Sequence, residues 1–169
     1  LILGDNLFYG SGWLNKIRNK IKLLKGGLIF GYPVSNPKEY GVVEFDSNFS
    51  VTNIEEKPNH PKTNYAVPGL YFYDNQVISL VKSLIPSSRG ELEITDLNKA
   101  YLKMNQLRVQ LLGRGVTWFD TGTHNSLMEA SNFVQSIEKR QGLKIASIEE
   151  IALQMGFVSK NQFSKLIKS

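Results

Sequence analysis

A strand-like apolar run, an amphipathic helix and a second apolar run open the chain, and this order constrains the fold more than any other feature. Leu1-Ile2-Leu3 reads as a buried strand that ends at Gly4-Asp5-Asn6. Leu14, Ile17, Ile21 and Leu24 then fall on one helical face, while Lys16, Arg18, Lys20, Lys22 and Lys25 lie off it as a solvated face. Gly26-Gly27 predicts the helix stop, and Leu28-Ile29-Phe30-Gly31-Tyr32-Pro33-Val34 predicts a second short strand. Strand, helix and strand in that order predict a βαβ unit and hence a parallel sheet at this end.

From Tyr40 the pattern shortens. Gly41–Asp46 and Ser50–Glu55, with Asp46-Ser47-Asn48 between them, predict a hairpin. An aromatic strand is expected over Tyr65–Tyr73, and a helix from Asp74-Asn75 to Pro86 carries Val77, Ile78, Val81 and Leu84. A further helix over Glu93–Lys103 turns Ile94, Leu97, Ala100 and Tyr101 inward. Strands at Arg108–Leu112 and Val116–Phe119 lead to Asp120-Thr121-Gly122-Thr123. A helix bearing Leu127, Ala130, Val134 and Ile137 follows, and it ends at Gly142. Ile148–Gln154 and Asn161–Lys168 are the last helical pieces. The expected division is 1–142 as one α/β domain and 143–169 as a helical appendage.

Composition removes whole classes of chemistry. The 169 residues contain no cysteine, which excludes a disulfide framework, thiolate metal ligation and a cysteine nucleophile, and points to a reducing compartment. Hydrophobic residues at 41% suffice for a packed core. No apolar run reaches the roughly 18 residues of a membrane span, and no secretory leader is recognisable, so the expectation is a cytoplasmic protein without membrane contact. The net charge of +5 is uneven, for residues 139–169 hold six Lys or Arg against Glu149 and Glu150. A solvated helical surface is the plain reading of that tail, and a nucleic-acid surface the other.

Candidate chemistry centres on carboxylates and cations at strand ends. Asp5 and Asp120 each follow an apolar run, where an acidic side chain could reach a hard cation such as Mg²⁺ beyond the carboxyl end of a strand; a turn former or helix cap is the alternative for each. Glu55-Glu56-Lys57-Pro58 suits sugar hydroxyls on carboxylate and phosphate on lysine, or a salt pair alone. Arg89, beside Gly90, could hold phosphate or lie free on the surface. His60 and His124 have no triad or zinc constellation around them. Gly10-Ser11-Gly12 is too short for a phosphate-cradling loop.

Six segments in order carry a resemblance: Leu3-Gly4-Asp5-Asn6, Tyr40–Asp46, Glu55-Glu56-Lys57-Pro58, Tyr65–Tyr73, Arg89–Asp96 and Trp118–Thr123. Together they resemble the glucose-1-phosphate thymidylyltransferases, a family of sugar nucleotidyltransferases, in its C-terminal portion. The resemblance implies a partial Rossmann-like α/β fold, with a mixed, mainly parallel sheet, a β-hairpin and C-terminal helices. It implies formation of dTDP-glucose and pyrophosphate from dTTP and glucose 1-phosphate by Mg²⁺-assisted in-line attack, at the entry to dTDP-rhamnose synthesis, in a cytoplasmic homotetramer.

By matching motif, Asp5 and Asp120 are the implied metal ligands, Lys57 and Arg89 hold the sugar phosphate, and Tyr40, Gly41, Glu56 and Val67 hold the glucose. Tyr9, Gly10, Arg114, Ala146, Glu150 and Ile151 match a regulatory site. The family's glycine-rich triphosphate loop is not among these residues, which implies no turnover by this stretch alone. Residues 148–168 also resemble the helix-turn-helix of AraC-type regulators, so a DNA-binding module is the alternative from another class. Glu149 and Glu150 oppose phosphate approach, and a nucleic-acid partner is not the expectation.

Overall fold

The computed structural model describes residues 1–87 and 90–167, with Lys16 and Asn19 as backbone only. Internal contacts divide the chain into two units, Leu1–Thr123 and His124–Ser169. The helix before Gly142, placed with the first part by the sequence, thus groups with the second.

The first unit holds strands β1 (Asn6–Tyr9), β2 (Gly27–Pro33), β3 (Gly41–Phe45), β4 (Val51–Glu56), β5 (Tyr65–Ala66), β6 (Phe72–Tyr73), β7 (Leu107–Leu111) and β8 (Thr117–Asp120). Its helices are α1 (Trp13–Lys22), α2 (Val77–Ser83) and α3 (Ile94–Lys103). Six strands form one sheet in the order β4-β3-β5-β2-β6, with β7 beside β2, and β1 pairs β8 as a separate antiparallel ribbon. Strand β2 is the spine. Its pleat sends Ile29 into a cluster with Val43, Ile54, Tyr71, Leu97 and Tyr101, and sends Leu28 and Phe30 into another with Ile17, Leu70, Leu112 and Val116. Burial on both faces is why this strand reads as a continuous apolar run. Each fully buried side chain here is worth about 1.5–3 kcal/mol.

The mixed α/β class stands, but its proportions differ from expectation. Among the described residues only β2 and β7 pair in parallel, and the other named pairings are antiparallel. The expected opening βαβ unit is not formed. Gly27 and Leu28 already pair with both β6 and β7, so both edges of β2 are taken there. Leu1–Leu3 is exposed and touches the sheet through an isolated bridge from Ile2 to Leu70, and the first strand is Asn6–Tyr9 instead. Helix α1 begins its apolar stripe at Trp13, Ile17 and Ile21, leaving Leu14 53% exposed.

The expected strand over 65–73 is broken into β5 and β6. Pro68 offers no amide hydrogen, and the Leu70 N–H turns back to its carbonyl oxygen at 2.7 Å. The hairpin forms as expected: Asp46 Oδ1 accepts the N–H groups of Asn48 and Ser50, both at 2.9 Å, and closes the turn.

The second unit holds α4 (His124–Gln141), α5 (Ile148–Gln154) and α6 (Lys160–Leu166). Ser147 caps α5 by accepting the Glu150 N–H, and Ser159 with Gln162 forms a capping box on α6. Between them Gly156 takes φ 73°, and the Phe157 N–H reaches the Ala152 carbonyl, which closes α5 as a Schellman turn. Among the described residues no helix is long and apolar enough to cross a membrane.

Candidate functional site

The register of the hairpin builds the site. Gly41 lies opposite Glu56 across β3 and β4, the Lys57 N–H donates to the Tyr40 carbonyl at 3.1 Å, and the Val67 N–H donates to the Gly41 carbonyl at 2.8 Å. These bonds draw Tyr40, Gly41, Glu56, Lys57 and Val67 to one cavity of about 180 Å³, whose far wall carries Asn6, Trp118 and Asp120. Lys57 sits at φ 43°, in the left-handed region that a lysine rarely occupies.

Helix α3 supplies the floor. The Thr95 hydroxyl donates to Glu56 Oε2 at 2.6 Å, and Asn98, one helical turn on, accepts the Tyr73 hydroxyl at 2.7 Å. Both residues are buried, so their polar atoms need these partners. Glu56 is held from below while its carboxylate still faces the cavity. Tyr71, also buried there, has its hydroxyl pKa pushed far up by burial first and then by the charges of Glu56, Asp120 and Asp5. It therefore stays a neutral phenol.

The β1–β8 ribbon sets those aspartates side by side. Asn6 is opposite Asp120, and the N–H and the hydroxyl of Thr121 both donate to the Asp5 carbonyl, at 2.7 and 2.8 Å. A Cβ on Gly122 would stand 3.1 Å from Asp120 Oδ1 and 3.5 Å from Asp5 Oδ2. Both carboxylates thus border the space beside Gly122, whose own N–H donates to Asp120 Oδ1 at 3.0 Å. Asn6 locks the arrangement: its Nδ2 donates to Asp5 Oδ1 at 2.8 Å, while its Oδ1 accepts Trp118 Nε1 at 2.7 Å and the Gly69 N–H at 2.8 Å.

Of the residues singled out from sequence, Asp5, Tyr40, Gly41, Glu56, Lys57, Val67 and Asp120 are brought together. Arg89 lies outside the described residues, as does Lys168 at the end of the 148–168 segment. Tyr9 ends β1, and Gly10 packs so closely on the Gly115 carbonyl that a Cβ would come to 2.7 Å, which sets it beside the loop carrying Arg114. Ala146, at φ 54°, precedes α5, which carries Glu150 and Ile151 in the second unit. Sequence reasoning missed Asn6, Thr95, Asn98 and Trp118 as site residues. A usable signal existed for two of them, since Thr95 and Asn98 are polar residues at i, i+3 on the face that buries Leu97 and Tyr101.

A family model described as "Nucleotidyl transferase" matches residues 1–137. The chain belongs to this family. It is 52% identical over 168 residues to the glucose-1-phosphate thymidylyltransferase of Mycolicibacterium smegmatis, a match covering 99% of this chain and 58% of that protein. Against the enzyme of the same name from Neisseria meningitidis it is 49% identical, covering all of this chain and 59% of the relative. The chain therefore spans somewhat over half the length of these nucleotidyl transferase relatives. Among solved structures, a Bacillus anthracis protein assigned as a glucose-1-phosphate thymidylyltransferase, in complex with a sucrose, superposes with a TM-score of 0.69 at 41% identity. That match covers 78% of this chain and 52% of that one. A UDP-glucose pyrophosphorylase bound to UDP-glucose shares the fold, with a TM-score of 0.69 at 21% identity over 80% of this chain and 55% of that one.

Proposed function

We propose that these residues form the sugar-phosphate side of a nucleotidyltransferase that joins glucose 1-phosphate to dTTP, giving dTDP-glucose and pyrophosphate. The observation that carries this reading is the gathering of Gly41, Glu56, Lys57 and Val67 in one cavity, next to Asp5 and Asp120. Relatives about half identical to the chain carry the matching name.

In this reading the glucose ring lies on Tyr40 and Gly41, with its hydroxyls donating to the Glu56 carboxylate that Thr95 holds in place. Lys57 neutralises the phosphate and aims one of its oxygens. That oxygen attacks the α-phosphorus of dTTP in line, the bond to the β-phosphate oxygen breaks, and pyrophosphate leaves. No side chain becomes covalently attached, so positioning and charge carry the rate.

Asp5 and Asp120 offer two hard oxygen donors around the space at Gly122, a set that suits Mg²⁺. Among the described residues no cluster of three or more acidic or histidine side chains completes a site, so phosphate oxygens and water would fill the remaining positions. When bound, the cation offsets charge developing on the phosphates. We further place the protein in the cytoplasm as a homo-oligomer acting ahead of dTDP-rhamnose formation, with dTDP-glucose as its product. Tyr9, Gly10, Arg114, Ala146, Glu150 and Ile151 belong to a regulatory site in the same reading. The DNA-binding alternative gains no support from α5, whose first turn carries Glu149 and Glu150.

Titration calorimetry with glucose 1-phosphate tests the reading. Lys57→Ala should weaken binding by roughly 1.5–3 kcal/mol, about tenfold or more, as loss of one charge-assisted hydrogen bond requires. Equal affinity of the variant and the parent chain would end the assignment of Lys57 to phosphate.

A further inference from the structure

A second and larger cleft, of about 650 Å³, opens in the first unit and shares no lining residue with the Tyr40–Val67 cavity. Three elements frame it: the end of α1 with the following turn (Lys20, Leu23, Leu24, Lys25), the hairpin tip (Asn48, Phe49) and β7 (Arg108–Leu111). Its floor is apolar, made by Leu28, Val109 and Leu111, and its rim carries three cations, Lys20, Lys25 and Arg108. No carboxylate lines it, and among the described residues neither Lys25 nor Arg108 is paired with one. Lys20 donates to the neutral amide oxygen Gln110 Oε1 at 2.7 Å, which fixes its position and leaves its charge uncompensated.

Three like charges around a concave surface repel one another, and a cleft with low-dielectric walls concentrates their field. The arrangement costs stability and attracts anions. Phe49 sharpens the picture. It is 51% exposed, its ring stacks on Phe45 at a centroid distance of 5.9 Å, and its backbone sits at φ 60°. For a bulky residue this is a strained conformation, of the kind retained where a side chain must be presented in one direction. The turn holds it there, since the Phe49 N–H donates to the Asp46 carbonyl at 3.0 Å.

A flat exposed ring, an apolar floor and an unpaired lysine and arginine suit a ligand with a planar end and a phosphate end. We propose that this cleft binds a nucleoside phosphate, its base against Phe49 and the floor, its phosphate between Lys25 and Arg108. The volume is in the range of small-molecule sites, and the proposal is independent of the reading of the Tyr40–Val67 cavity.

The test is a titration of the isotope-labelled chain with adenosine 5′-monophosphate, followed by backbone amide shifts. The largest shifts are expected over 20–28, 47–50 and 108–111. Adenosine alone and inorganic phosphate alone should each bind at least roughly tenfold more weakly, as should the nucleotide to Lys25→Ala or Arg108→Ala. Phe49→Gly separates presentation from packing: relief of the strained φ should leave the chain as stable or more so, yet lower nucleotide affinity. Shifts confined to the Tyr40–Val67 cavity, no shifts at millimolar nucleotide, or equal binding by Arg108→Ala would overturn the proposal. Phosphate binding as tightly as the nucleotide would also overturn it, reducing the cleft to a general anion surface.

Discussion

Lys57 pays a conformational cost for its place in the cavity. Its φ of 43° is one that glycine adopts freely and a lysine resists. Lys57→Gly should therefore raise folding stability by about 0.5–1 kcal/mol in urea denaturation while weakening glucose 1-phosphate binding as strongly as Lys57→Ala. Opposite signs for the two readouts would mark a residue kept for its charge. A loss of stability would mean instead that contacts of the lysine stem outweigh the strain. The charge of Lys57 was legible in the sequence, beside Glu56 and before a proline. The strain was not, because φ here is imposed by two chain-distant hydrogen bonds, from Lys57 N–H to Tyr40 and from Val67 N–H to Gly41.

Between elements, Asp74 is the tie that holds helices and sheet together. Its carboxylate accepts from the Gly26 N–H at 2.7 Å, from the Tyr101 hydroxyl at 3.0 Å and from both the side chain and the N–H of Gln76. Burial alone would raise its pKa, but these donors outweigh it and hold the carboxyl below its ordinary value. A depressed folded pKa means stability that is present above the unfolded value of about 3.9 and lost as pH falls through the lower folded one. Asp74 is only partly buried, so solvent screening keeps the effect small: Asp74→Asn should cost about 1 kcal/mol at neutral pH, and the gap to the parent chain should close only below about pH 4. Urea denaturation across that range checks both; a gap constant down to the acid limit would show that the charge contributes nothing. The helix start at Asp74-Asn75 was readable from sequence. The partners were not, since Gly26 and Tyr101 lie 48 and 27 residues away.

At the scale of the whole molecule, elements and their order were legible, and neighbours were less so. The hairpin, α3, α5 and the ribbon strand β8 follow local signals such as the Asp46 turn and the apolar spacing from Ile94 to Tyr101. The expected parallel opening failed because strand pairing is decided by competition for the edges of β2, which no local pattern around Leu1–Leu3 encodes. Every residue of the Tyr40–Val67 cavity and of both core clusters belongs to the first 123 residues. Removal of 124–169 should thus leave glucose 1-phosphate affinity within about twofold of the full chain by calorimetry, as for sites without shared partners. A tenfold loss would show that the second unit supports the cavity.

The placing of the two tryptophans gives the molecule an optical consequence. Trp118 forms part of the cavity wall, 5.2 Å from the Tyr40 ring, whereas Trp13 packs against Phe30 in the core cluster on α1. One indole therefore stands where a sugar phosphate would displace water, and the other stands apart from it. Emission from the unmodified chain should carry both a reporter and an internal reference, so that Trp118→Phe abolishes any change on adding glucose 1-phosphate and Trp13→Phe preserves it. Occupancy of the cavity could then be followed by light alone, with no label attached.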